Sequence, residues 1–109
     1  MKKILYLVFK SSPEAVHVLD QIRNEGYNAT VMSTESLRHA FEELPEERHF
    51  FTLRHAQKVK VNESVLCLFI IDEEKLEELK NIVREKTDNF FKVKGFMFSR
   101  DIKDFEGSI

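Results

Sequence analysis

Val65-Leu66-Cys67-Leu68-Phe69-Ile70-Ile71 is the most apolar run in the chain, and its reading decides the fold. Seven residues suit a strand and are too few for a typical globular helix or a membrane span. A strand buried on one face alternates apolar and polar residues, and this one does not. Both its faces are therefore expected to be covered, which places it in the middle of a sheet. Ile4-Leu5-Tyr6-Leu7-Val8-Phe9 is the only comparable run, so the two form the predicted centre.

Around that centre the chain is ordered simply. Ser12-Pro13-Glu14 opens a helix, with Ser as N-cap, Pro at the first helical position and an acid in the first turn. Ala15, Val18, Leu19 and Ile22 make one inward stripe, and Gly26 supplies the left-handed residue beyond the helix. Asn28 to Met32 reads as a short strand. After the central run, Asp72 is the expected cap of a helix to about Lys86, with Leu76, Leu79, Ile82 and Val83 as its stripe. Gly95-Phe96-Met97-Phe98 is the last strand. From Arg100 to Ile109 the chain is polar, with Ile102 and Phe105 as anchors.

Two β-α-β units in tandem predict an α+β, ferredoxin-like sandwich. The expected order is βαββαβ, with a four-stranded antiparallel sheet, two main helices and a helix-containing insertion between strands 2 and 3. A flavodoxin-like sheet needs more parallel strands than the chain supplies. In the sandwich two helices cover one sheet face. Ile4, Tyr6 and Val8 alternate with Leu5, Leu7 and Phe9, and the third strand is likewise apolar on both sides. The uncovered face is thus apolar, which points to self-association through it, as a trimer or a dimer with closed symmetry.

At 109 residues the chain is expected to be a single domain over 1–109 with one core. Hydrophobic residues make up 42% and charged residues 33%, as in ordinary globular proteins. A net charge of −2 confers no general affinity for nucleic acid. Met1-Lys2-Lys3 and the following apolar run lack a small-residue cleavage site, so they read as the first strand rather than a signal peptide. The single Cys67 forms no internal disulfide and reads as a small buried hydrophobe. A cytoplasmic protein without membrane attachment is the expectation.

The insertion, about residues 33–63, breaks the pattern. Leu37, Ala40, Phe41 and Leu44 make another helical stripe, ended by Pro45. Arg48 to Lys60 then carries Arg48, Arg54, Lys58 and Lys60 and no acid. Set aside, these four leave 13 of the 17 basic residues against 19 acids, a balance of −6. Arg and Lys recognise phosphate and other anions directly, so the four are the candidate ligand-binding residues. A solvated hairpin with a basic face is the competing reading. Phe50 and Phe51 offer stacking surfaces for bases, but phenylalanine more often belongs to a core, and nucleic acid is not favoured.

In element order the chain resembles the PII-like proteins: the nitrogen-regulatory PII proteins, the CutA proteins and the cyclic-di-AMP receptors. The resemblance rests on Lys3–Phe9, the helix ending in Asn24-Glu25-Gly26-Tyr27, the long excursion before Val65, and the helix after Asp72. It implies a ferredoxin-like trimer whose long loop reports on a ligand, a nucleotide or other anionic small molecule, bound between subunits. The glycine-rich nucleotide loops of the PII proteins are missing, since only Gly26, Gly95 and Gly107 occur. No ligand residue of the family is carried over, and no cofactor is indicated.

CutA-like proteins are associated with divalent metals, so the histidines bear on that alternative. His39 and Glu43 share one helix face, while His17 and His39 point outward from theirs, and a structural site needs about four ligands. Catalysis finds no support in a nucleophile elbow, a phosphate-binding loop or a zinc-protease motif. A ferredoxin-like small-molecule enzyme is the other alternative to a small oligomeric signalling or ligand-sensing protein that binds an anionic small molecule or a partner protein.

Overall fold

Strong apolar character in two strands and weak character in the other two sets the order of the sheet. The computed structural model describes residues 1–34, 36, 37 and 64–108. Along them run β1 (Lys2–Lys10), α1 (Pro13–Asn24), β2 (Thr30–Thr34), β3 (Ser64–Asp72), α2 (Glu73–Thr87) and β4 (Gly95–Asp101). The strands form one antiparallel sheet in the order β2-β3-β1-β4, with two helices, the ferredoxin-like arrangement. β1 and β3 pair along their whole length, from Lys2 opposite Asp72 to Lys10 opposite Ser64.

Alternation along these strands divides the sheet into two faces. Leu5, Leu7 and Phe9 of β1 and Cys67, Phe69 and Ile71 of β3 are buried under the helices. Ala15, Val18 and Ile22 of α1 and Leu79 and Val83 of α2 meet them from above. Each such aliphatic or aromatic side chain contributes about 1.5–3 kcal/mol by leaving water.

α1 begins as its sequence requires. Ser12 Oγ accepts the Ala15 N–H at 3.0 Å, Pro13 opens the helix, and Gly26 takes φ of +97° just beyond its end. At α2 the expected cap is corrected. Asp72 occupies the N-cap position but its side chain makes no capping hydrogen bond. Its carboxylate lies 2.9 Å from Lys2 Nζ instead, and Met1 O accepts the Glu73 N–H at 3.0 Å. The cross-strand neighbour won the carboxylate, because Lys2 and Asp72 are register partners.

Two strands differ in extent from the sequence expectation. β2 starts at Thr30 rather than Asn28, since Asn28 Oδ1 accepts the Ala29 N–H at 2.9 Å and holds that pair out of the ladder. It runs on to Thr34, which pairs with Ser64, so Ser33 and Thr34 belong to the sheet rather than to the insertion. β4 continues past Phe98 to Asp101, where Asp101 faces Lys3 in register and accepts a hydrogen bond from its ammonium. That contact holds the Asp101 carboxyl below the usual 3.8. Ile102 N–H then bonds Lys2 O at 3.1 Å, and Lys2 Nζ lies 5.9 Å from the Phe105 ring centroid.

Gly95 is required by a close approach. A Cβ there would lie 2.0 Å from Val8 O and 3.0 Å from Phe9 Cδ1. Gly95→Ala should therefore destabilise the fold by about 1–3 kcal/mol as β4 is pushed off β1. A urea titration reads this as a lower midpoint at similar slope. An unchanged midpoint would contradict the registered approach of β4 to β1.

Candidate functional site

The face of the sheet away from the helices is apolar along the two central strands, and each outer strand adds apolar residues to it. Ile4, Tyr6 and Val8 of β1 lie beside Leu66, Leu68 and Ile70 of β3, all partly exposed. β2 adds Met32 opposite Leu66, and β4 adds Phe96 opposite Val8 and Phe98 opposite Tyr6. Phe96, Phe98 and Met32 are 55%, 47% and 45% exposed, far beyond what a covered sheet face allows. Tyr6 stacks on Phe98 with ring centroids 4.6 Å apart at 16°, and Phe96 lies 6.3 Å beyond in nearly the same orientation. The row of aromatic rings is aligned by the pleat, which puts alternate residues of neighbouring strands side by side. Lys10 and Arg100 share this face near its margins by the same alternation.

A second feature is the end of the sheet where β1 stops and the insertion leaves and returns. Thr34, Ser64 and Lys10 are aligned there by the two ladders. Lys10 N–H donates to Lys94 O at 2.8 Å, which brings the segment before β4 to the same place. Lys10, Lys92 and Lys94 are exposed, and among the described residues none of them forms an ion pair. Glu14 and Asp88 are the acids nearest to them along the chain, at the start of α1 and the end of α2. Ser11 Oγ, at the same end, is buried with no hydrogen-bond partner, the kind of unmet polar group that a bound molecule or water satisfies.

An unusual turn delivers Lys92 and Lys94. Asp88, Asn89 and Phe90 all have positive φ, +53°, +55° and +65°. Three left-handed non-glycine residues in a row are costly, and the surroundings must over-determine them. Thr87, fully buried, does so with its hydroxyl: Oγ1 donates to Val83 O at 2.7 Å and accepts the Phe90 N–H at 3.0 Å. Lys92 N–H closes the turn on Thr87 O at 2.9 Å, and the Phe90 ring packs toward Phe9, 6.3 Å between centroids.

The four candidate ligand residues Arg48, Arg54, Lys58 and Lys60 lie outside the described residues, as do His39, His49, His55 and the helical stripe from Ala40 to Leu44. His17 is exposed on α1. Among the described residues no group of three or more His, Cys, Asp and Glu is placed to hold a metal ion. At the opposite end of the sheet a cleft of about 250 Å³ is lined by Lys2, Tyr27, Asp72, Lys75 and Glu78. Burial, then the Glu78 carboxylate, raises the Tyr27 phenol above its usual value. Glu25 lines the cleft too, so three carboxylates face two lysines there, with Lys2 already paired to Asp72.

Sequence reasoning identified the apolar face through β1 and β3 but missed Met32, Phe96 and Phe98. The alternation of Phe96, Met97 and Phe98 was the available signal. The lysine cluster had none, because its members are brought together by pairing across more than 80 positions. No protein-family model and no curated protein matches the chain.

Cys67 lies wholly inside the core, and burial pushes its thiol up to about 11. At pH 8 only about one thiol in a thousand is then ionised, and the thiolate is the reactive form. Native labelling by a thiol reagent should be on the order of 100-fold slower than labelling in urea. Equal rates in the two conditions would place Cys67 outside the core.

Proposed function

We propose that this chain is a small self-associating protein of the PII-like kind, a ligand sensor or signalling protein that binds an anionic small molecule at the end of the sheet. The observation that carries this reading is the position of the insertion. Its two ends, at Thr34 and Ser64, stand at the same end of the sheet as Lys10, Lys92 and Lys94. The chain that carries Arg48, Arg54, Lys58 and Lys60 in its sequence thus leaves and re-enters the sheet at the end where Lys10, Lys92 and Lys94 stand, three cations with no ion pair among the described residues. A net charge of −2 for the whole chain makes this concentration of positive charge local rather than general. Phosphates and carboxylates are the groups such lysines and arginines recognise.

Self-association through the apolar face is the second part of the reading. A row of rings, partly exposed Tyr6 and half-exposed Phe98 and Phe96, beside Leu66, Leu68 and Ile70 exceeds what soluble monomers usually present. Closing two or three copies on this face buries it. A single unreactive thiol fits a reducing, cytoplasmic setting.

A thermal-shift series with nucleoside phosphates and cyclic dinucleotides tests the ligand. At 100 times its Kd a ligand adds about 2.7 kcal/mol to the folded state. For a domain of this size that is a rise of roughly 10 °C. Replacing Lys10, Lys92 and Lys94 together by Ala, or Arg54 and Lys58 together by Ala, should abolish the shift and leave the unliganded fold stable, since exposed charges contribute little. A shift that survives both variants would place the ligand elsewhere. Light scattering tests the face: Tyr6→Asp should lower the mass two- or three-fold, and an unchanged mass would contradict the reading.

A further inference from the structure

β2 is the outer strand of the sheet, with β3 on one side and no described strand on the other. From Thr30 to Thr34 it carries no charge, no proline and no glycine. Proteins ordinarily protect an open strand edge with such residues, because its unpaired N–H and C=O groups invite another strand. The other outer strand, β4, has that protection in Arg100 and Asp101. The bare edge is also flanked by apolar side chains on both sides. On the helix side stand Val16 of α1, 66% exposed, and Val31 of β2, 55% exposed, and on the open side Met32, 45% exposed. Val16 and Val31 border an apolar groove of about 290 Å³ floored by Leu19, Ala29 and Phe69.

We propose that this edge is a two-fold interface, at which β2 of a second copy of the same chain pairs antiparallel with β2 to make one continuous sheet. Self-complementarity selects a second copy over an unrelated strand. The two-fold operation sets neutral, short residues of Thr30–Thr34 against themselves, so no like charges meet across the ladder. On α1, Val16, Asp20 and Arg23 fall at i, i+4 and i+7, one stripe beside the groove. Asp20 and Arg23 are exposed and already joined at 2.6 Å within one copy. The rim of each copy is therefore neutral, and no net charge of one copy meets a like charge of the other across the two-fold axis. One contact thus covers Val16, Val31 and Met32 and satisfies the open edge. The interface is independent of the apolar face, which stays available to a separate contact.

Copy number tests the proposal, because a two-fold edge contact requires an even number. Native mass spectrometry of the whole chain at micromolar concentration should give two, four or six copies. The variant carrying Val16→Lys and Val31→Lys together should halve that number with an unchanged far-UV circular dichroism spectrum, since lysine is well tolerated on an edge strand and an exposed helix face. Tyr6→Asp, which attacks the other face, should leave the two-copy unit in place, so failure of the apolar-face contact and failure of the edge contact are told apart. A monomer, an odd copy number, or an even one unchanged in the lysine variant would overturn the proposal. Hydrogen exchange of the native chain is the second measurement, needed if the variant does not fold. Protection of every amide from Thr30 to Thr34 is expected, and fast exchange of the alternate amides that face away from β3 would overturn it equally.

Discussion

The pairing of β1 with β3 is the constraint on which the rest of the structure depends. These are the two strands without a polar face, and they pair from end to end. Their pairing leaves only two edges, which β2 and β4 take. Two strands of this kind bury one face under α1 and α2, where Leu5, Leu7, Phe9, Cys67 and Phe69 are almost wholly removed from water. The same alternation forces Ile4, Tyr6, Val8, Leu66, Leu68 and Ile70 onto the other face. Two helices are enough for one side of a four-stranded sheet and none remains among the described elements for the second. The apolar open face is thus a direct consequence of strand composition, and it is why self-association enters the functional reading.

The two ends of the β1–β3 ladder are chemically different. At one, Lys2 pairs with Asp72 and Lys3 with Asp101 and Glu73, so each lysine has a carboxylate beside it and β1, α2 and β4 are tied together. These contacts are exposed and contribute specificity of register more than stability. At the other end, Lys10, Lys92 and Lys94 have no such partners among the described residues, and Ser11 Oγ is buried without a hydrogen-bond partner, as Tyr27 Oη is at the first end. Lysines paired at one end and, among the described residues, left unpaired at the other direct attention to the second for recognition of an anion. The insertion starts and finishes there.

Much of this was legible in the sequence because the signals are local. Ser12-Pro13-Glu14 and Gly26 mark both ends of α1, and the stripe Ala15, Val18, Ile22 gives its buried face. The unbroken runs at Ile4–Phe9 and Val65–Ile71 gave the centre of the sheet. What was not legible depends on distant partners. Asp72 looks like a helix cap from its neighbours, yet its register partner Lys2 takes the carboxylate. β4 looks finished at Phe98 until Lys3 supplies a partner for Asp101. The left-handed residues 88–90 carry no glycine to announce them, since buried Thr87 and the Phe9–Phe90 contact impose that turn. Arg48, Arg54, Lys58 and Lys60 were legible as a charge cluster, and they lie outside the described residues.

Site-resolved hydrogen exchange of the native chain is the most direct test of the β1–β3 pairing. Amides that open only on global unfolding exchange slowest, and they mark the elements on which the fold depends. The slowest set should be Leu5 to Val8 in β1 together with Leu66 to Ile70 in β3, with β2 and β4 faster. A slowest set confined to α1 or to β4, with β1 and β3 exchanging as fast as the edges, would contradict a sheet built from its two apolar central strands.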